Sequence, residues 1–189
     1  MKKYIAFISF LLIGFVSCNN ETEKGPAPEI KNYTITPVEH DHARTSDDDH
    51  DHDHDDDIAA IVIVGEEARI EADLSAQQGL TYVKLNVHFG DDDHHDHARL
   101  TATDSVKWTF NQTWEFGKEG GLTGEGDYPT TFAFDEEIDI PTTIDGKPLY
   151  EGNYHFQLFI GAKADNSSDN EANQVLTVEV TSEEHDHDH

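Results

Sequence analysis

From Leu80 to Phe89 apolar and polar side chains alternate, with Val83, Leu85, Val87 and Phe89 on one parity and Tyr82, Lys84, Asn86 and His88 on the other. A repeat of two sends these sets to opposite faces of a strand, one toward a core and one toward solvent. The same period runs through Ala68–Leu74, where Ala68, Ile70, Ala72 and Leu74 share a parity, and through Tyr150–Ala162. Ile30–Val38, Phe132–Ile140 and Gln174–Val180 predict further strands, and Ile58–Val64 is a short, nearly continuous apolar one. Val106, Trp108, Phe110, Trp114 and Phe116 also keep one parity, broken at Gln112, which makes both tryptophans core candidates. The alternation slips at Asp135-Glu136-Glu137, so a bulge is expected there. No stretch carries a helical period of 3.6.

Turn signals separate these segments: Gly65-Glu66-Glu67, Gln77-Gln78-Gly79, and Asp145-Gly146 inside the Pro141–Pro148 connection. The glycine-rich stretch Gly117–Pro129 lacks the Gly-Lys-Ser/Thr ending of a phosphate-binding loop and reads as a plain connection. Asp165–Asn170 is a polar loop. Seven to eight short strands and no helix predict an all-β fold, an immunoglobulin-like or fibronectin-III-like antiparallel β-sandwich over residues 28–180.

The apolar pattern stops abruptly where histidine and aspartate begin. Three runs alternate imidazole with carboxylate: Glu39–Asp57 with His40, His42, His50, His52 and His54, Asp91–His97 with His94, His95 and His97, and Glu183–His189 with His185, His187 and His189. The first is an insertion with no apolar residue larger than Ala, so it has nothing to bury and is expected to be solvated. The second opens directly from the Leu80–Phe89 strand, and the third forms the tail from residue 181 onward.

Charge narrows the partners. The chain has a formal charge of −28 with only 12 Lys and Arg, which argues against nucleic acid, whose phosphates need cationic contacts. A single Cys excludes an internal disulfide and a cysteine-rich zinc site. Its setting explains it. Lys2-Lys3 and the apolar run Ile5–Val16 precede Phe15-Val16-Ser17-Cys18, which looks like a bacterial lipobox with Phe15 where Leu is commoner. Residues 1–17 are then a lipoprotein signal peptide, Cys18 is the lipidated residue, and 18–27 are a tether. The expected location is the cell envelope, anchored by lipid in the outer membrane.

The run Gly152-Asn153-Tyr154-His155-Phe156 resembles the start of the sixth strand in bacterial immunoglobulin-like domains, where a Gly-x-Tyr turns its tyrosine inward. Together with Val87-His88-Phe89 and the segments LTYVKLNVHF, WTFNQTWEF and IDIP, it is similar to a family of lipoproteins of unknown function in Bacteroidota, of the domain of unknown function 4625 type. That resemblance implies one immunoglobulin-like domain with scattered histidine-rich segments and a membrane anchor. The chain departs from it in the Glu39–Asp57 insertion and at Asp165–Asn170.

Neutral imidazole ligates Zn²⁺, Cu²⁺ and Ni²⁺, and neighbouring carboxylates complete the sphere or accept the second ring N–H. In an extended segment, histidines two apart project to one side, so units such as His50-Asp51-His52 and His185-Asp186-His187 can chelate. The expected cofactor is a divalent metal, zinc first, and the expected partners are the membrane and an envelope metal-uptake or receptor protein. Competing readings are a protein- or glycan-binding module whose acidic runs only solvate it, and a Ca²⁺ module, which would leave 13 His unexplained. No nucleophile motif appears, so an enzyme is not expected.

Strand order sharpens the expectation. In the predicted topology the third and sixth strands are antiparallel neighbours, and His88 and His155 both lie on outward parities. They should share one face and one pole, beside the Asp91–His97 run, as the fixed part of a site that the runs complete. The N-terminal tether should emerge at the other pole.

Overall fold

A computed structural model describes residues 26–38, 58–90, 104–163 and 170–182. In chain order the strands are β1 (Glu29–Pro37), β2 (Ile58–Ile63), β3 (Glu67–Ser75), β4 (Leu80–Phe89), β5 (Phe110–Glu115), β6 (Thr131–Asp139), β7 (Thr143–Ile144), β8 (Lys147–Pro148), β9 (Gly152–Ala162) and β10 (Glu171–Thr181). No helix occurs among the described residues. The order β1-β3-β6 makes a three-stranded sheet, and β2-β10-β9-β4-β5 makes a five-stranded one. The two form a β-sandwich.

Period-two patterning accounts for the core. Val83, Leu85 and Val87 of β4, Phe156, Leu158 and Ile160 of β9, and Val178 and Val180 of β10 are all fully buried. Ala68, Ile70, Ala72 and Leu74 of β3 cover them from the other sheet. Each large aliphatic or aromatic side chain withdrawn from water contributes about 1.5–3 kcal/mol before ordering costs. Trp108 is buried, and Trp114 packs edge-on against Phe134 with ring centroids 5.1 Å apart. Tyr33 crosses between the sheets and donates from its hydroxyl to the Phe156 carbonyl at 3.1 Å. Burial holds its phenol above the ordinary value.

Several expectations change. The bulge expected at Asp135–Glu137 is absent: β3 and β6 pair without interruption from Glu67 opposite Asp139 to Ser75 opposite Thr131. Glu136 therefore keeps the inward parity, half-buried opposite Ile70, and the alternation slips because a charged residue occupies a core-facing position. An irregularity sits instead in β1 between Lys31 and Thr34, where Asn32 has φ 49°. The sandwich is not wholly antiparallel, because β2 runs parallel to β10. The Pro141–Pro148 connection contains the small β7–β8 pair, turned by Asp145 and Gly146 with φ 52° and 77°, the left-handed conformations of a type I′ turn.

Pairing also fixes the poles. Pro37 lies opposite Ala68, Asp139 opposite Glu67, Val180 opposite Gly152, and Phe89 opposite Tyr154. Backbone bonds from Val64 to Thr181 and from Gly65 to Ile140, both 2.8 Å, tie the two sheets together at that end. Val38, Gly90 and Ser182, the last described residues before the three histidine-rich runs, therefore share one pole. Chain entry at Pro26 lies at the other, where Glu29 faces Ser75. The first run rejoins at Ile58, opposite Thr177 and below the pole, along the outer edge of the five-stranded sheet.

Candidate functional site

His88 and His155 are directly opposed in register on the two central strands β4 and β9. Gly90 donates its N–H to the Asn153 carbonyl at 2.9 Å, so this rung and, two residues on, the histidine rung are hydrogen-bonded pairs, with Cα atoms about 5.5 Å apart. The two imidazoles meet edge to face, centroids 5.3 Å apart and planes at 87°. Both side chains are half-buried.

Neighbouring residues orient each ring. His88 donates from Nδ1 to Asn86 Oδ1 at 3.0 Å, which leaves Nε2 as the nitrogen carrying the lone pair. Asn86 is the residue that reading the sequence missed, although Asn86-x-His88 on one parity is a legible signal. His155 lies over Gly90: a Cβ there would stand 3.0 Å from Nε2 and 3.3 Å from two ring carbons. Nothing in a lone glycine at a strand end announces that role.

Beneath the rung the floor is aromatic and tied down. Tyr154 is fully buried, donates its hydroxyl to the Tyr150 carbonyl at 2.6 Å and accepts the Trp108 N–H at 3.2 Å. Burial raises its phenol pKa, partly offset by the Trp108 bond. A tyrosine near a strand start bonding four residues back is the corner that anchors such strands in many sandwiches. Phe89 packs edge-on against both Tyr150 and Tyr154, at 5.0 and 5.4 Å.

Among the described residues, the rung and the two rows on its side away from the pole carry one cation and no carboxylate. The rung itself continues to Thr177 of β10. The next row reads Val175, Gln157, Asn86, Asn111, and the one after Asn173, Phe159, Lys84, Thr113. No Asp or Glu lies in these three rows. Carboxylates return only at the ends, with Glu171 and Glu115 beside Gly161 and Tyr82, and Glu179 beside Asn153. Tyr82 donates to Glu171, and its phenol is pushed up to about 12, mainly by burial.

Two imidazoles sharing one ion at nitrogen–metal distances near 2.0–2.1 Å and a tetrahedral angle hold their centroids about 5 Å apart. The observed 5.3 Å fits that spacing. Among the described residues no group of three or more His, Cys, Asp or Glu is assembled to hold an ion. The structure thus brings together His88 and His155, while Cys18 and the histidines of all three runs lie outside the described residues.

The family model described as a domain of unknown function (DUF4625) matches residues 16–180, and the chain belongs to that family. Comparison with the curated proteins finds no match.

Proposed function

We propose that this member of the family is a lipid-anchored protein of the bacterial envelope, as the Bacteroidota resemblance implies, that binds divalent transition-metal ions. Zinc is the first choice, with copper or nickel as alternatives, and the task is capture, buffering or hand-over. The observation that carries the reading is the His88–His155 rung, two imidazoles opposed on interior strands at a spacing one ion can bridge. Its neighbours suit the role: Asn86 fixes the His88 tautomer as outer-shell partners of metal-bound histidines do. The exits toward the three His/Asp runs share the rung's pole, and the chain enters at the opposite one. An ion held loosely by a run is thereby offered to the rung, away from a membrane anchored through Cys18. We also read the sandwich as immunoglobulin-like, from its strand order and the Tyr154 corner.

Zinc calorimetry tests the reading. The protein should take up more than one ion, and His88→Ala should weaken the tightest step at least tenfold. Deleting His40–His54 should lower only the stoichiometry. Uptake should fade as pH drops through the ordinary imidazole range near about 6.5, because a protonated ring has no lone pair to give. Absence of zinc uptake at neutral pH would overturn the proposal.

A further inference from the structure

We infer that the rung is half of a metal site shared between two copies of this chain, which meet through the outward face of the five-stranded sheet. The inference rests on the metal reading above and names the partner that completes the site. A closed zinc site takes four ligands, and the rung offers two. No third protein ligand joins it among the described residues. A two-fold axis passing beside the rung supplies the same two imidazoles again, since such an interface presents one patch to itself.

Charge selects this face. The chain carries 40 Asp and Glu against 12 Lys and Arg, so two copies repel almost wherever they touch. The outward side of the three-stranded sheet presents Glu67, Glu71, Asp73, Asp135, Glu137 and Asp139. By contrast, among the described residues three successive rows here carry no carboxylate, with Glu179, Glu115 and Glu171 only at their margins, so repulsion at contact is lower there than on the three-stranded sheet.

The chemistry of the rows is also self-complementary. Asn86, Asn111, Gln157 and Asn173 each carry both donor and acceptor, so the same side chains can pair across a two-fold axis as carboxylates cannot. Val175, 44% exposed, and the half-buried Phe159 supply apolar area to bury. Packed sheets stand about 10 Å apart, which sets the midplane about 5 Å from each and within reach of an imidazole.

Light scattering of the full chain in detergent, titrated with zinc chloride, tests this. The protein mass should double with a midpoint below half a molar equivalent of zinc and return to that of one chain with a chelator. His88→Ala and His155→Ala should abolish the doubling. Val175→Lys, which adds no ligand but leaves an ammonium to be stripped of water inside the contact, should keep zinc uptake and lose the doubling. Substituting Ala for every histidine of the three runs should leave the doubling intact. Zinc uptake with the mass of one chain would overturn the shared site while leaving the metal reading standing. Loss of doubling in the run variant would assign the bridge to the runs and overturn it too. No uptake at all would remove both.

Discussion

The two sheets meet the same demand on their inner faces and different ones outside. Inside, both bury alternating apolar residues: Val83, Leu85 and Val87 in one, Ile70, Ala72 and Leu74 in the other. Outside, the three-stranded sheet is crowded with acid. Glu71 stands opposite Asp135 and Glu67 opposite Asp139, with Arg69 between them, 2.8 Å from Glu137 and 3.5 Å from Asp135. Like charges directly opposed are unfavourable, and water and salt screen them only while that surface stays wet. Even its inner face admits Glu136. In its three middle rows the five-stranded sheet has amides, threonines, two histidines and Lys84 where its counterpart has carboxylates. Burial required the inner patterns of both, but nothing in folding required the outer ones to differ. On the function proposed above, the difference reflects what each face meets, solvent on one side and a ligand or second copy on the other.

The strongest test of this contrast is at the support of the neutral face. Tyr154→Phe removes a hydroxyl that is both donor and acceptor and leaves the Trp108 N–H without that acceptor in a buried setting. The expected loss is about 1–3 kcal/mol, a fall in Tm of several degrees by calorimetry. An unchanged Tm would mean that the aromatic floor does not depend on this corner.

Gly90→Ala sharpens the contrast with a smaller effect. Gly90 is outside the left-handed region, so its backbone accepts Ala and the change is purely steric. The new Cβ presses on His155 Nε2 at 3.0 Å and should weaken the tightest zinc step about tenfold, about 1.4 kcal/mol, with Tm little altered. Equal zinc affinity for the variant and the parent would argue against His155 as a ligand.

The smallest effect belongs to the acidic sheet. Burial, helped by the neighbouring Asp135 charge, raises the Glu136 carboxyl above the ordinary range. A folded-state value above the unfolded one means the native protein holds the proton more tightly, so this residue costs stability once pH rises past both values. Glu136→Gln should therefore raise Tm slightly at neutral pH, with the gain vanishing in acid below the ordinary Glu range. A gain of equal size at all pH values would show that charge burial is not the cause.

Much of the fold was legible because burial leaves a local trace. The parity of Val83, Leu85 and Val87, the inward Tyr154 and the core position of Trp108 follow from spacing alone. Glu136 was misread for the same reason: an acid on an inward parity imitates a register slip. The parallel β2–β10 pairing and the β1 irregularity left no such trace, since each depends on a partner strand far away in the chain.

By itself the sequence determined which residues face inward, where the turns fall, that the chain is acidic, and that imidazole and carboxylate are concentrated in three runs. Outward parity for His88 and His155 was likewise a local fact. Tertiary structure decided that these two stand on the same rung, that Asn86 and Gly90 orient their rings, and that the two rows on the side away from the pole carry no carboxylate. The reason is that side-chain parity repeats every two residues along one strand, whereas register relates residues 67 positions apart. Register is set only when strands pair and the whole core closes over the pattern.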